Sequence, residues 1–182
     1  ACSGGTCNVL FSNLVLSDQN AGTSLIAMSG ATVGSLTITA CVVGDSGVSG
    51  ITNYVNASGA AHRITIERTT MSSVNQALSS PMINLTTATA TISLCNLSTT
   101  SAVPVIRMSG NNNPLTLSFS QLSCSSATAS VNGVVHLANV LGSTQTSSIV
   151  NSSISSSAID TGVAPNIGTP AVGVDATGSA LI

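Results

Sequence analysis

Few residues in this chain are able to do chemistry, and their spacing limits what that chemistry could be. The 182 residues hold five acids, Asp18, Asp45, Glu67, Asp160 and Asp175, with three arginines, Arg63, Arg68 and Arg107. Two histidines, His62 and His136, and five cysteines complete the set. Glycoside hydrolysis needs paired carboxylates about 5 to 9.5 Å apart. Here only Asp18 and Asp45 occupy related places, and they are two residues out of step, with no Arg or His beside them. Cys2, Cys7, Cys41, Cys95 and Cys124 show no zinc spacing. The expectation is therefore a non-enzymatic chain with no metal and no cofactor. Three arginines without a lysine, and three aromatic residues in all, give neither a basic patch nor a stacking platform. Nucleic-acid binding is disfavoured on both counts.

What positions these residues is a charge-poor scaffold. Only 4% of the chain is charged, against about 25% in an average soluble domain. The core must be built from Ile, Leu, Val, Ala and Met, and the abundance of β-branched and hydroxyl residues favours strands. No apolar run is long enough for a bilayer span, and no basic segment precedes a leader-like stretch, so membrane insertion is not expected. The chain opens on Ala1 and reads as a piece of something larger.

Six segments repeat an apolar residue, four mostly small residues and a second apolar residue. They run Val9 to Leu14, Ile38 to Val43, Ile66 to Met71, Ile92 to Leu97, Leu117 to Leu122 and Ile149 to Ile154. Successive copies lie 29, 28, 26, 25 and 32 residues apart, so insertions fall between motifs and not within them. A second series alternates apolar, variable, apolar: Ile26-Ala-Met28, Ile83-Asn-Leu85, Ile106-Arg-Met108 and Val135-His-Leu137, with Asn53-Tyr-Val55 as an imperfect member. Strand alternation points the middle residue outward. A unit of two or three short strands buries its apolar face only when copies stack.

The stretches "ITACVV", "ISLCNL", "LSFSQL" and "IVNSSI" resemble the coil consensus of the right-handed parallel β-helix. That architecture is shared by pectin-lyase-like enzymes, phage tailspikes and autotransporter passengers. The resemblance implies an all-β fold of about six short coils over residues 1–157. Residues 158–182 form an irregular Gly/Pro/Ala/Val tail or docking segment. Stacked rungs also account for the missing charge, since like charges would lie about 4.8 Å apart.

Several expectations follow for individual residues. Core ladders comprise Val9, Ile38, Ile66, Ile92, Leu117 and Ile149, and Leu14, Val43, Met71, Leu97, Leu122 and Ile154. Small groups at Ser12, Cys41, Thr69, Cys95, Ser120 and Ser152 stack in a turn. Cys41 and Cys95, two coils apart, are too distant to pair and read as buried thiols. Cys2 and Cys7 are near enough in sequence to form a disulfide across a loop. Tyr54, Asn84, Arg107 and His136 form an outward stripe able to meet a glycan or another subunit. Arg68 stands out of pattern among Phe11, Ala40, Leu94 and Phe119.

With no catalytic cluster and no evident cap at either end, the expected role is structural. The expected setting is an extracellular assembly or a virion surface, as a spike, fibre or capsid-associated component. Its partners would be other protein subunits, a homotrimer being one arrangement. The alternative is a secreted or cell-surface adhesin that binds a glycan or receptor through the stripe. A polysaccharide lyase or hydrolase ranks third.

Overall fold

A computed structural model describes residues 6–17, 24–30, 32–44, 52–73, 78–110, 113–125, 134–138, 147–156 and 174–175. The first coil contributes β1 (Asn8–Ser12), β2 (Val15–Ser17) and β3 (Ser24–Met28), and the second β4 (Ser35–Thr39), β5 (Val42–Gly44) and β6 (Asn53–Ala57). Next come β7 (Arg63–Glu67), β8 (Thr70–Ser73) and β9 (Ile83–Thr86), followed by β10 (Thr89–Ser93), β11 (Asn96–Thr99) and β12 (Ile106–Ser109). The last two coils supply β13 (Leu115–Ser118), β14 (Gln121–Cys124) and β15 (Val135–Ala138), then β16 (Ser148–Val150), β17 (Ser153–Ser156) and β18 (Val174–Asp175).

Equivalent strands pair in parallel to make three six-stranded sheets, which begin with β1, β2 and β3. The chain is a parallel β-solenoid. Six rungs stack in each sheet, but about four turns are sealed from solvent. Inner residues of the middle coils, such as Ile38, Ile66, Ile92 and Leu117, are fully buried, whereas Phe11, Leu16, Ile149 and Ile154 are only partly so.

The corner between the first and second sheets is built the same way in every coil. One residue per coil adopts a left-handed backbone: Asn13 (φ 55°), Ala40 (52°), Arg68 (48°), Leu94 (54°), Phe119 (48°) and Asn151 (48°). This conformation turns the chain while sending the side chain outward, so Leu94 and Phe119 are 52% and 59% exposed. It also accounts for Arg68, whose long side chain stands in solvent as a turn residue and carries no core position.

In every coil but the first, the following residue is small and points into the corner. Cys41, Thr69, Cys95 and Ser120 fill it and are buried. Their side chains link the rungs. Cys41 N–H donates to Thr69 Oγ1 (3.3 Å), Cys95 N–H to Ser120 Oγ (3.1 Å) and Ser120 N–H to Ser152 Oγ (3.2 Å). Each group also donates to the carbonyl two residues back, as Thr69 does to Glu67 (2.9 Å) and Ser120 to Ser118 (2.8 Å). Buried polar groups are thus satisfied by the stack itself.

The first coil departs from the sequence expectation by two residues. Phe11 pairs with Ile38 and Leu16 with Val43, while Val9 pairs with Leu36. Val9 therefore still faces inward but in the neighbouring column. Leu14 leaves the core altogether, 42% exposed and following the left-handed Asn13. Ser12 likewise gives its place in the small-residue corner to Leu14. A shift of two preserves which face a strand residue occupies, so alternation alone cannot detect it.

Left-handed backbone costs a residue with a Cβ about 1–2 kcal/mol, and Asn tolerates it best after Gly. Leu94→Asn and Phe119→Asn, each at an exposed site, are therefore expected to raise stability by about 0.5–1 kcal/mol. Urea unfolding checks this, and a lowered midpoint would contradict the assigned turn.

Candidate functional site: the outer column of the third sheet

The outward residues of the third sheet stack in one file. The register runs Ala27, Asn56, Asn84, Arg107 and His136, with Asp175 paired in register beside His136. Asn84, Arg107 and His136 thus stand where the alternating triplets place them. All three are half-buried, as are Thr37 and Thr65 on the outer first sheet, where Thr91 and Thr116 are exposed.

Tyr54 does not belong to this file. It is 0% exposed, and its hydroxyl donates to the Ser72 carbonyl at 2.7 Å. The cause is local: the amides of Tyr54 and Val55 both donate to the Met82 carbonyl, at 2.9 and 3.1 Å. Two residues set against one form a bulge, and a bulge breaks the alternation. Asn53, Tyr54 and Val55 are consequently all buried. Asn56 takes the outward place, and Asn84 Nδ2 donates to its Oδ1 at 3.1 Å. The triplet Val55-Asn-Ala57 fits the apolar, variable, apolar pattern as well as Asn53-Tyr-Val55 does, and only the bulge decides between them.

Asn84 Oδ1 and Arg107 Nε are enclosed and have no hydrogen-bond partner. They lie on adjacent rungs of the same column. One is an acceptor and the other a donor, and neither atom is open to solvent.

Among the described residues, most of the other reactive side chains are engaged by the fold, Arg63 being exposed. His62 is buried and links coils: Nδ1 accepts the Gly34 N–H at 3.1 Å, which leaves Nε2 to donate to the Ser58 carbonyl at 3.1 Å. Glu67 forms an exposed ion pair with Arg68 at 3.4 Å, a contact of under about 1 kcal/mol. Arg68 also donates to Thr39 Oγ1 at 3.4 Å. Cys41, Cys95 and Cys124 are buried free thiols. Cys124 sits in an inward column with Ser73 and Thr99. Cys7 is disulfide-bonded. Cys2, Asp18, Asp45 and Asp160 lie outside the described residues, as does residue stretch 158–182 apart from β18. Among the described residues no three His, Cys, Asp or Glu side chains gather to hold a metal.

Comparison with known protein families, curated proteins and solved structures finds no match to this chain. The residues themselves must carry the functional reading.

Burial pushes the Cys95 thiol above its ordinary value of 9.0, against the lowering effect of hydrogen bonds at the Thr69 and Ser93 backbones. An unfolded chain then ionises first as pH rises, so the contribution is whole below about pH 9 and is lost above it. Cys95→Thr, which repeats the neighbouring Thr69, removes that titration. Wild type is expected to lose more stability than the variant between about pH 8 and about pH 10. Equal losses by urea unfolding would contradict the assignment.

Proposed function

We propose that this chain is a non-enzymatic structural module of a large extracellular assembly, a viral-particle component of the spike, fibre or capsid-associated kind. The supporting observation is that, among the described residues, the stack engages most of the groups that could do chemistry. Nδ1 of His62 links two coils while Nε2 bonds its own loop, the Tyr54 hydroxyl caps a carbonyl, three thiols are buried, and Glu67 pairs with its neighbour. Catalytic sites instead hold such groups unpaired or poised in a cleft. A rigid ladder of hydrogen-bonded rungs suits load-bearing or spacing work, and its neutral outer faces suit packing beside other subunits.

The half-buried column of Asn84, Arg107 and His136 favours a second reading, an adhesin that takes a polyhydroxylated ligand along the third sheet. Sugar hydroxyls both donate and accept, which suits an amide beside a guanidinium.

The test is fractionation of extracellular particles from the source on a density gradient. The assembly reading expects the chain at constant stoichiometry across intact particles. Recovery only as free chain, together with glycan-array binding abolished by Arg107→Ala/His136→Ala in a folded protein, would overturn it for the adhesin.

A further inference from the structure

The corner between the first and second sheets carries most of the exposed apolar surface. Among the described residues eight large apolar side chains are exposed, and six of them lie in this turn or within two residues of it: Leu14, Val15, Val42, Leu94, Phe119 and Val150. Exposed apolar residues scattered singly need no partner, but a contiguous ridge of them marks an interaction surface. The chain through this corner is described in all six coils. Val42, Leu94 and Phe119 also have a hydrogen-bonded rung on either side. Their exposure therefore belongs to the flank of the rod and not to its ends.

The ridge is graded along its length. Over the first five coils the left-handed column runs Asn13, Ala40, Arg68, Leu94 and Phe119, with small or polar side chains before Arg68 and bulky apolar ones after it. Its centre is charged. Glu67 and Arg68 stand side by side at 3.4 Å, and no other charged residue falls within residues 12–15, 39–42, 67–70, 93–96, 118–121 and 150–153. A second copy laid alongside in the same direction would set Arg68 against Arg68 and Phe119 against Phe119, and would leave a gap at Ala40. Laid in the opposite direction about the third coil, it sets Arg68 beside Glu67 of the other copy. Leu94 then meets Ala40 and Val42, and Phe119 meets Leu14 and Val15, so bulk on one copy fills space on the other.

We propose that two copies of this chain pack side by side and antiparallel through the ridge, related by a two-fold axis at the third coil. Every contact then occurs twice, as a two-fold interface requires. The apolar contacts supply the attraction. The crossed pairs of Glu67 and Arg68 set direction and register, because juxtaposed like charges oppose the parallel arrangement. This deepens the assembly reading by naming a partner, and it rests on that reading for its setting.

Sedimentation velocity of the purified chain over a range of concentrations is expected to show monomer and dimer in equilibrium. Glu67→Arg gathers four guanidinium groups at the axis, and Arg68→Glu gathers four carboxylates. Each variant alone is expected to dimerise about tenfold more weakly or worse, and the two are expected to pair with each other when mixed. Leu94→Asn/Phe119→Asn is expected to stay monomeric. Its urea midpoint, read at a dilution where wild type is also monomeric, confirms that it is folded. Direction is tested by mixing chains that carry Ala40→Cys with chains that carry Leu94→Cys and oxidising them. A disulfide between the two variants is expected, while each alone stays unlinked, since equivalent positions lie about two rungs apart across the axis.

A wild type that is monomeric at every concentration overturns the proposal, and so does a discrete trimer. Folded charge variants that fail to pair when mixed overturn it too, as do disulfides that join Ala40→Cys chains only to one another. These outcomes concern the purified chain alone, so they are distinguishable from failure of the particle fractionation above.

Discussion

The whole fold hangs on one backbone constraint, the left-handed residue that turns each coil from the first sheet into the second. It fixes the corner at the same point of every rung, which brings equivalent strands into register. Hydrogen bonds between rungs then follow, as do the buried aliphatic columns. The small residue after the turn completes the corner, because its hydroxyl or thiol satisfies both its own coil and the coil beside it. No single coil could bury its apolar face alone, so stability is distributed along the stack.

Much of this was legible in the sequence, for a physical reason. From Ile38 onward the spacing of five between inward residues is constant, so both core columns and the small corner residues can be read directly. The conformation of the turn was not legible, because Ala40, Arg68, Leu94 and Phe119 are not residue types that announce left-handed backbone. Arg68 therefore looked anomalous in a column that in fact faces solvent. The first coil slipped by two for a related reason: Val9 and Phe11 both face inward, and only pairing across coils tells them apart. Tyr54 failed differently, since a bulge is a property of two strands' pairing and leaves no mark in one strand's pattern.

The same stacking shapes the functional reading. Side chains that suggest chemistry in a linear sequence, His62 and the three thiols above all, become linkers and fillers once the coils close. What remains outward is neutral for the most part, with threonines at Thr37, Thr65, Thr91 and Thr116 in one column of the first sheet. The column from Asn56 to His136 is chemically more varied, and Arg63, Glu67 and Arg68 add charge elsewhere on the surface. A surface of this kind distinguishes partners by shape and hydrogen bonding more than by charge.

The central claim is the register set by the left-handed column, and it is sharpest in the first coil. Cross-linking of paired cysteines tests it directly. Rungs about 4.8 Å apart lie within the Cα separation a disulfide allows. Leu10 pairs with Thr37 in the structure, so Leu10→Cys/Thr37→Cys is expected to oxidise readily to an intramolecular disulfide, while Leu10→Cys/Thr39→Cys is not. The reverse result would place Val9 opposite Ile38 and contradict the account of the corner.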